Sequence, residues 1–263
     1  MYAFDMEQPT TLADAVTALE KEDAQILGGG QTLIPALKAR LAMPATLVSL
    51  TAIHELNGVC VNDAGDVCIG GGTTHHTVAQ QAKAHFPALA HLASHIGDPA
   101  VRNRGTIGGS VANNDPSACY PAAVLATGAT IVTDRREIAA DDFFQGMFAT
   151  ALHDGEIITQ IRFPVPIVAS YQKFVQPASR FALVGVFVAR FADRVKVAVT
   201  GASENGVFRW EDAEDVLSSD FSAAALDGLT VSADEMIGDL HGSPAYRAHL
   251  VKVMTARAVS ASR

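Results

Sequence analysis

Two glycine-rich blocks about 75 residues apart, Gly28-Gly29-Gly30-Gln31-Thr32 and Thr106-Ile107-Gly108-Gly109-Ser110, are the residues of this sequence best suited to chemistry. Each follows an apolar stretch and ends in a hydroxyl residue. Glycine permits turns closed to other residues and lets a backbone come within hydrogen-bonding distance of a ligand. A Thr or Ser that follows adds a side-chain donor to the exposed N–H groups, a combination that suits a pyrophosphate. Two such loops suggest a dinucleotide gripped from two sides.

The spacing excludes the two commonest nucleotide sites. No GxGxxG occurs with an acidic residue about 20 positions on, and no Gly-Lys-Ser/Thr ends a Walker loop. A lone glycine loop can be only a strand-to-helix turn, so the reading rests on the pair. The remaining reactive residues point elsewhere or nowhere. His75-His76 has no third ligand nearby, which favours a surface or loop role over a metal. Cys119 has no histidine partner placed by sequence and reads as a packed thiol. Asp141-Asp142 reads as a helix cap or solvated turn. No Ser-His-Asp arrangement can be argued.

The elements that must position the glycine blocks follow from periodicity and punctuation. Residues 11–22 carry Leu12, Ala15, Val16 and Leu19 at helical spacing, with Thr10 or Thr11 as N-cap. A strand at 25–27 runs into the first block, a helix covers 33–41, and a strand covers 46–50. Val59-Cys60-Val61 and Val67-Cys68-Ile69 read as a hairpin with both cysteines buried mid-strand. A Gly70-Gly71-Gly72 run follows, then helices at 77–86 and 89–96. A turn at 115–120 leads to a helix at 121–127, stopped by Gly128, and a strand at 130–133. Residues 157–163 are extended. After Pro164-Val165-Pro166 come strands at 171–175, 182–191 and 194–201, and helices at 212–217 and 243–259.

Composition bounds the rest. The chain has 263 residues, is 49% hydrophobic and carries a formal charge of −9, with no basic run. That argues against nucleic acid, which calls for a clustered Lys/Arg face. Three cysteines without CxxC spacing give no zinc site, iron–sulfur cluster or disulfide framework. No basic n-region opens the sequence, and no window approaches about 18 uninterrupted apolar residues. The expected location is the cytoplasm.

At this point a resemblance becomes specific. Residues 26–35, around Gly28-Gly29-Gly30-Gln31-Thr32-Leu33, resemble the "AGGQSLLP" block of the FAD subunit of molybdenum hydroxylases. Residues 101–116, through Thr106 to Ser110 and on to Asn113-Asn114-Asp115-Pro116, resemble its "VRNRGTIGGSLANADP". Gly72-Thr73-Thr74-His75 and Tyr171-Gln172-Lys173-Phe174 are similar to its "GATTH" and "YEKF". The likeness runs in order over essentially the whole chain and is to the carbon monoxide dehydrogenase medium-subunit type, related to the FAD domain of xanthine dehydrogenase.

The resemblance implies an α+β fold: a para-cresol methylhydroxylase-type FAD-binding domain of two α/β subdomains, followed by a carbon monoxide dehydrogenase flavoprotein C-terminal-type domain. The boundaries expected are 1–167, with subdomains at about 1–53 and 54–167, and 168–263. It further implies that Gly28, Gly29, Gly30, Gln31, Thr32 and Leu33 hold the FAD pyrophosphate from one side. Thr106, Ile107, Gly108, Gly109, Ser110 and Asn113 would hold it and the ribityl chain from the other. Ile96 and Gly97 match positions near the flavin, Ile157 and Ile158 positions lining the adenosine end, and Lys173 a cofactor-contacting lysine. Where many relatives carry Asp or Glu, this chain has Cys119, and a thiol accepts hydrogen bonds only weakly.

The function implied is that of a flavin station. FAD, held non-covalently, takes electrons from a small [2Fe-2S] subunit, fed by a large molybdenum-cofactor subunit, and passes them to a terminal acceptor. A dimer of heterotrimers is the expected assembly. The residues leave open a free-standing FAD-dependent oxidoreductase on the same fold and a non-catalytic nucleotide-binding subunit.

Overall fold

The computed structural model describes residues 1–262. The chain begins with β1 (Asp5–Glu7), α1 (Leu12–Ala18), β2 (Ala24–Leu27), α2 (Leu33–Lys38) and β3 (Thr46–Ser49). The three strands form a parallel sheet in the order β1-β3-β2. All four residues of central β3 are buried, because the sheet is covered on both faces. Val48 packs with Ala15 and Ala18 of α1, whereas Leu47 packs with Leu37 of α2. Thr11 caps α1 by accepting from the Asp14 N–H. Both helices are shorter than their periodicity predicts, and β1 is new: three residues with no apolar pattern, held by a parallel neighbour 41 positions away in sequence.

A second sheet follows from β4 (Val59–Val61), β5 (Val67–Gly70), α3 (His75–Gln81), α4 (Pro87–Ser94), α5 (Pro99–Arg102), α6 (Ile107–Asn113), α7 (Tyr120–Thr127), β6 (Thr130–Thr133), β7 (Glu137–Ala139), α8 (Ala140–Phe143) and β8 (Ile158–Phe163). Its order is β4-β5-β8-β6-β7, antiparallel throughout. The hairpin forms as expected, but Cys60 lies on the edge strand and is exposed; only Cys68 is buried. Alternation alone could not show which strand would be the edge. α7 is buried on every side, so it has no polar face, and Gly128 in the left-handed region ends it.

The third sheet is an antiparallel meander of β9 (Val168–Val175), β10 (Ala182–Arg190), β11 (Val195–Ser203) and β12 (Gly206–Arg209), followed by α9 (Glu211–Ser219) and α10 (Pro244–Ala261). One face of this sheet packs on α9 and α10 through Val186, Val188, Val251 and Met254. The other face joins the second sheet's core. Phe86 stands edge-on to Phe163 of β8 at 6.4 Å and to Phe187 of β10 at 6.1 Å, joining the two sheets. Buried Arg247 of α10 donates to the Leu183 and Gly201 carbonyls and to Asp239, so its charge is compensated inside the fold.

Candidate functional site

The first glycine block leaves β2 and ends at the start of α2. Gly30 has φ +73°, a turn that favours glycine, and a side chain there would also strike Ile34. Its carbonyl accepts from the Ile34 N–H, which launches the helix. The N–H groups of Gly28 through Leu33 find no acceptor among the described residues. Gln31 and Thr32 are exposed, and Thr32 makes no side-chain cap. This run is an open row of backbone donors.

The second block is a different object. It was expected as a loop, but Ile107 to Asn113 is helical, because Thr106 accepts from the Gly109 N–H as an N-cap. Its backbone donors from Ile107 to Ser110 are already used. Ile107 donates to the Thr73 carbonyl at 3.0 Å, Gly108 to Gly71 at 2.9 Å, and Ser110 to the Thr106 carbonyl at 3.0 Å. Its glycines serve close packing: a Cβ on Gly108 would stand 2.6 Å from the Gly71 carbonyl oxygen.

The two blocks touch. A Cβ on Gly29 would overlap the Arg104 carbonyl, and one on Gly28 would stand 3.1 Å from the Thr106 hydroxyl. The Arg104 side chain lies beside this junction in sequence, is exposed, and joins no ion pair among the described residues. Ser110 and Asn113, one turn apart on α6, are half-buried, and their side chains make no hydrogen bond within the described residues.

Gly70-Gly71-Gly72 turns out to be the pivot, and sequence reading passed over it. Gly71 supports Gly108 on one side and lies against the Ile158 carbonyl on the other, with no room for a Cβ. His75, expected in a surface or loop role, is buried at the start of α3. Its N–H donates to the Gly105 carbonyl at 2.9 Å, and its ring fills the space beside Gly105. Burial, and secondarily Arg102, lower its pKa to about 4, so it stands neutral against the second block. Its neighbour His76 is exposed as expected.

Ile96 and Gly97 form a second centre with Lys173. Arg102 donates to the Ile96 carbonyl at 2.9 Å and to Gly97 at 3.0 Å. Lys173 of β9 donates to the His95 carbonyl at 2.8 Å and lies 3.4 Å from the Cys119 sulfur. Segment 95–97 is thus clamped from both sides, and α5 carries the chain from there to the second block. Ile157 and Ile158 are nearly wholly buried. Ile157 packs with Ile53 and Leu56, Ile158 packs in the main core, and the Ile157 N–H donates to Asp134 at 2.7 Å. Beside them Glu156 is held by Arg136, Thr133 and the His153 N–H, which lower its pKa to about 2. Asp115 receives the Ser117 N–H in a turn, as expected for 115–120, and Asp141 and Asp142 are solvated.

The residues present fit a dinucleotide: open donors and an unpaired arginine at one end, and a clamped backbone segment with a lysine at the other. Comparison with known proteins agrees. Residues 2–166 match the family described as FAD binding domain in molybdopterin dehydrogenase. The carbon monoxide dehydrogenase medium chain of Afipia carboxidovorans is 33% identical, with 99% of this chain and 97% of that protein aligned. The nicotine 6-hydroxylase medium subunit of Paenarthrobacter nicotinovorans is 35% identical over 95% and 94%. Among solved structures, reconstituted CO dehydrogenase from Oligotropha carboxidovorans superposes with a TM-score of 0.89 at 33% identity, covering 99% of this chain and 98% of that one. Quinoline 2-oxidoreductase from Pseudomonas putida 86 gives 0.87 at 29% identity over 99% and 97%. The chain therefore belongs to the FAD-binding medium-subunit family of the molybdenum hydroxylases, and is a flavoprotein subunit of a heteromeric oxidoreductase.

Proposed function

We propose that this chain holds one FAD non-covalently along the line from Gly28–Leu33 to Lys173. It would receive electrons from a small [2Fe-2S] subunit, fed by a large molybdenum-cofactor subunit, in a dimer of heterotrimers located in the cytoplasm. The observation that carries the reading is the open row of N–H groups from Gly28 to Leu33, beside exposed Arg104. Donors fixed by the fold offset a pyrophosphate's charge on a protein that is acidic as a whole. Thr106 shapes the second wall, and Ser110 and Asn113 offer the side-chain groups left there.

When bound, FAD supplies a store that accepts electrons singly and releases them as a pair. The protein's task is then to orient it, and the Arg102 and Lys173 contacts to segment 95–97 fix the backbone at the flavin end. Lys173 keeps a donor free beyond its two contacts. We also take 1–167 and 168–263 as the domains, supported by the change of sheet between β8 and β9. Among the described residues no helix is long and apolar enough to cross a membrane.

The purified protein should show the visible bands of oxidised flavin, with the cofactor released by acid. A colourless protein that takes up no added FAD overturns the proposal. Thr32→Glu puts a carboxylate beside the donor row on an exposed side chain, and like-charge repulsion should weaken FAD binding by about tenfold. An unchanged dissociation constant would place the pyrophosphate elsewhere.

A further inference from the structure

Cys60 and Cys68 face each other across the β4–β5 hairpin. The Gly70 N–H donates to the Gly58 carbonyl at 3.0 Å, and the Asn62 N–H donates to Asp66 at 3.1 Å. These bonds flank the cysteines two residues away on either side, and antiparallel pairs alternate in type, so Cys60 and Cys68 occupy a hydrogen-bonded pair. Such pairs have Cα atoms about 5.5 Å apart, inside the range a disulfide spans. Their side chains project to the same face. The turn fixes this register: the Asn62 side chain accepts from the Ala64 and Asp66 N–H groups and donates to the Asp66 carboxylate.

Access is asymmetric. β4 is the edge strand, so Cys60 is exposed while Cys68 is buried behind it. A cleft of about 200 Å³ beside the pair is lined by both cysteines, Gly58, Gly70, Thr159 and Gln160, which gives a small molecule a way in. Burial and then neighbouring Cys60 and Asp66 hold the Cys68 thiol above its ordinary range, so the exposed thiol reacts first.

We infer that Cys60 and Cys68 form a reversible redox site, closing to a cross-strand disulfide when hydrogen peroxide reaches the edge of the second sheet. The Cys60 thiolate attacks one peroxide oxygen; the S–O bond forms, the O–O bond breaks, and hydroxide leaves and takes up a proton as water. The Cys68 sulfur then attacks the sulfenic sulfur; the S–S bond forms and the S–O bond breaks. The thiol proton and the departing hydroxide make a second water. Two thiols are oxidised and one peroxide is reduced. The third thiol, Cys119, is buried against Lys173 and takes no part.

The test treats the full-length protein with dilute hydrogen peroxide and then alkylates it with N-ethylmaleimide in denaturant. Trypsin leaves both cysteines in the peptide 41–83. That peptide should lose both alkylations and two hydrogens, and dithiothreitol should restore both sites. Cys60→Ser, a change on an exposed side chain, should leave Cys68 fully alkylated after the same treatment. Retention of both alkylations in the wild type overturns the inference. So does Cys60 ending as a sulfinic acid, or in a disulfide between two chains, with Cys68 still alkylated.

Discussion

The two glycine blocks look alike in sequence and do opposite work in the fold. The first keeps its backbone donors from Gly28 to Leu33 open, whereas the second bonds Ile107, Gly108, Gly109 and Ser110 internally. In the first, Gly30 needs its left-handed backbone; in the second, Gly108 needs to meet Gly71 without a Cβ between them. A glycine run therefore marks close approach, and what approaches has to be found separately. At the first block the open donors are where the proposed ligand would approach, and Gly29 meets the Arg104 carbonyl. At the second, the approaching surface is the protein itself, through Gly71, Thr73 and His75.

The largest effect should come where the blocks meet. Gly29→Val drives a side chain into the Arg104 carbonyl, and the backbone cannot move aside cheaply. We expect a loss on the order of 3 kcal/mol or more in unfolding free energy, read by urea denaturation without added FAD. Gly109→Ala meets only the Thr106 hydroxyl at 2.9 Å and should cost about 1 kcal/mol, the worth of the cap it disturbs. Equal costs at the two positions would show that the Arg104 contact does not make Gly29 the tighter of the two sites.

An effect smaller than that of Gly29→Val follows from His75, which supports the second block. Its folded pKa of about 4 lies below its ordinary 6.5, so the unfolded chain binds the proton first. The stability it contributes is complete above 6.5 and is lost as pH falls toward 4. By about pH 5.5 the loss should reach roughly 1.4 kcal/mol. His75→Phe removes no hydrogen bond from the unpartnered Nδ1 and should flatten that limb of the pH–stability curve. A curve of unchanged slope would show that the ring is not held neutral by burial.

Much of this was legible beforehand because the signals were local. The β4–β5 hairpin, the strand at Thr130–Thr133, the capped α10 and the order of both glycine blocks follow from alternation, caps and turn residues. What was missed depends on neighbours distant in sequence. β1 and β12 are short strands that exist because a partner pairs with them. The helical nature of Ile107–Asn113 was hidden by two poor helix formers, and Thr106 outweighs them only once the Gly71 and Thr73 carbonyls take up the first N–H groups. The burial of His75 and the exposure of Cys60 are likewise set by which surfaces the three sheets leave uncovered.

Amide hydrogen exchange of the protein with and without FAD tests the central distinction most directly. The account predicts fast exchange at residues 28–33 without FAD and strong protection with it, while residues 107–110 are protected in both states. Protection gained at 107–110, with 28–33 unchanged, would contradict it.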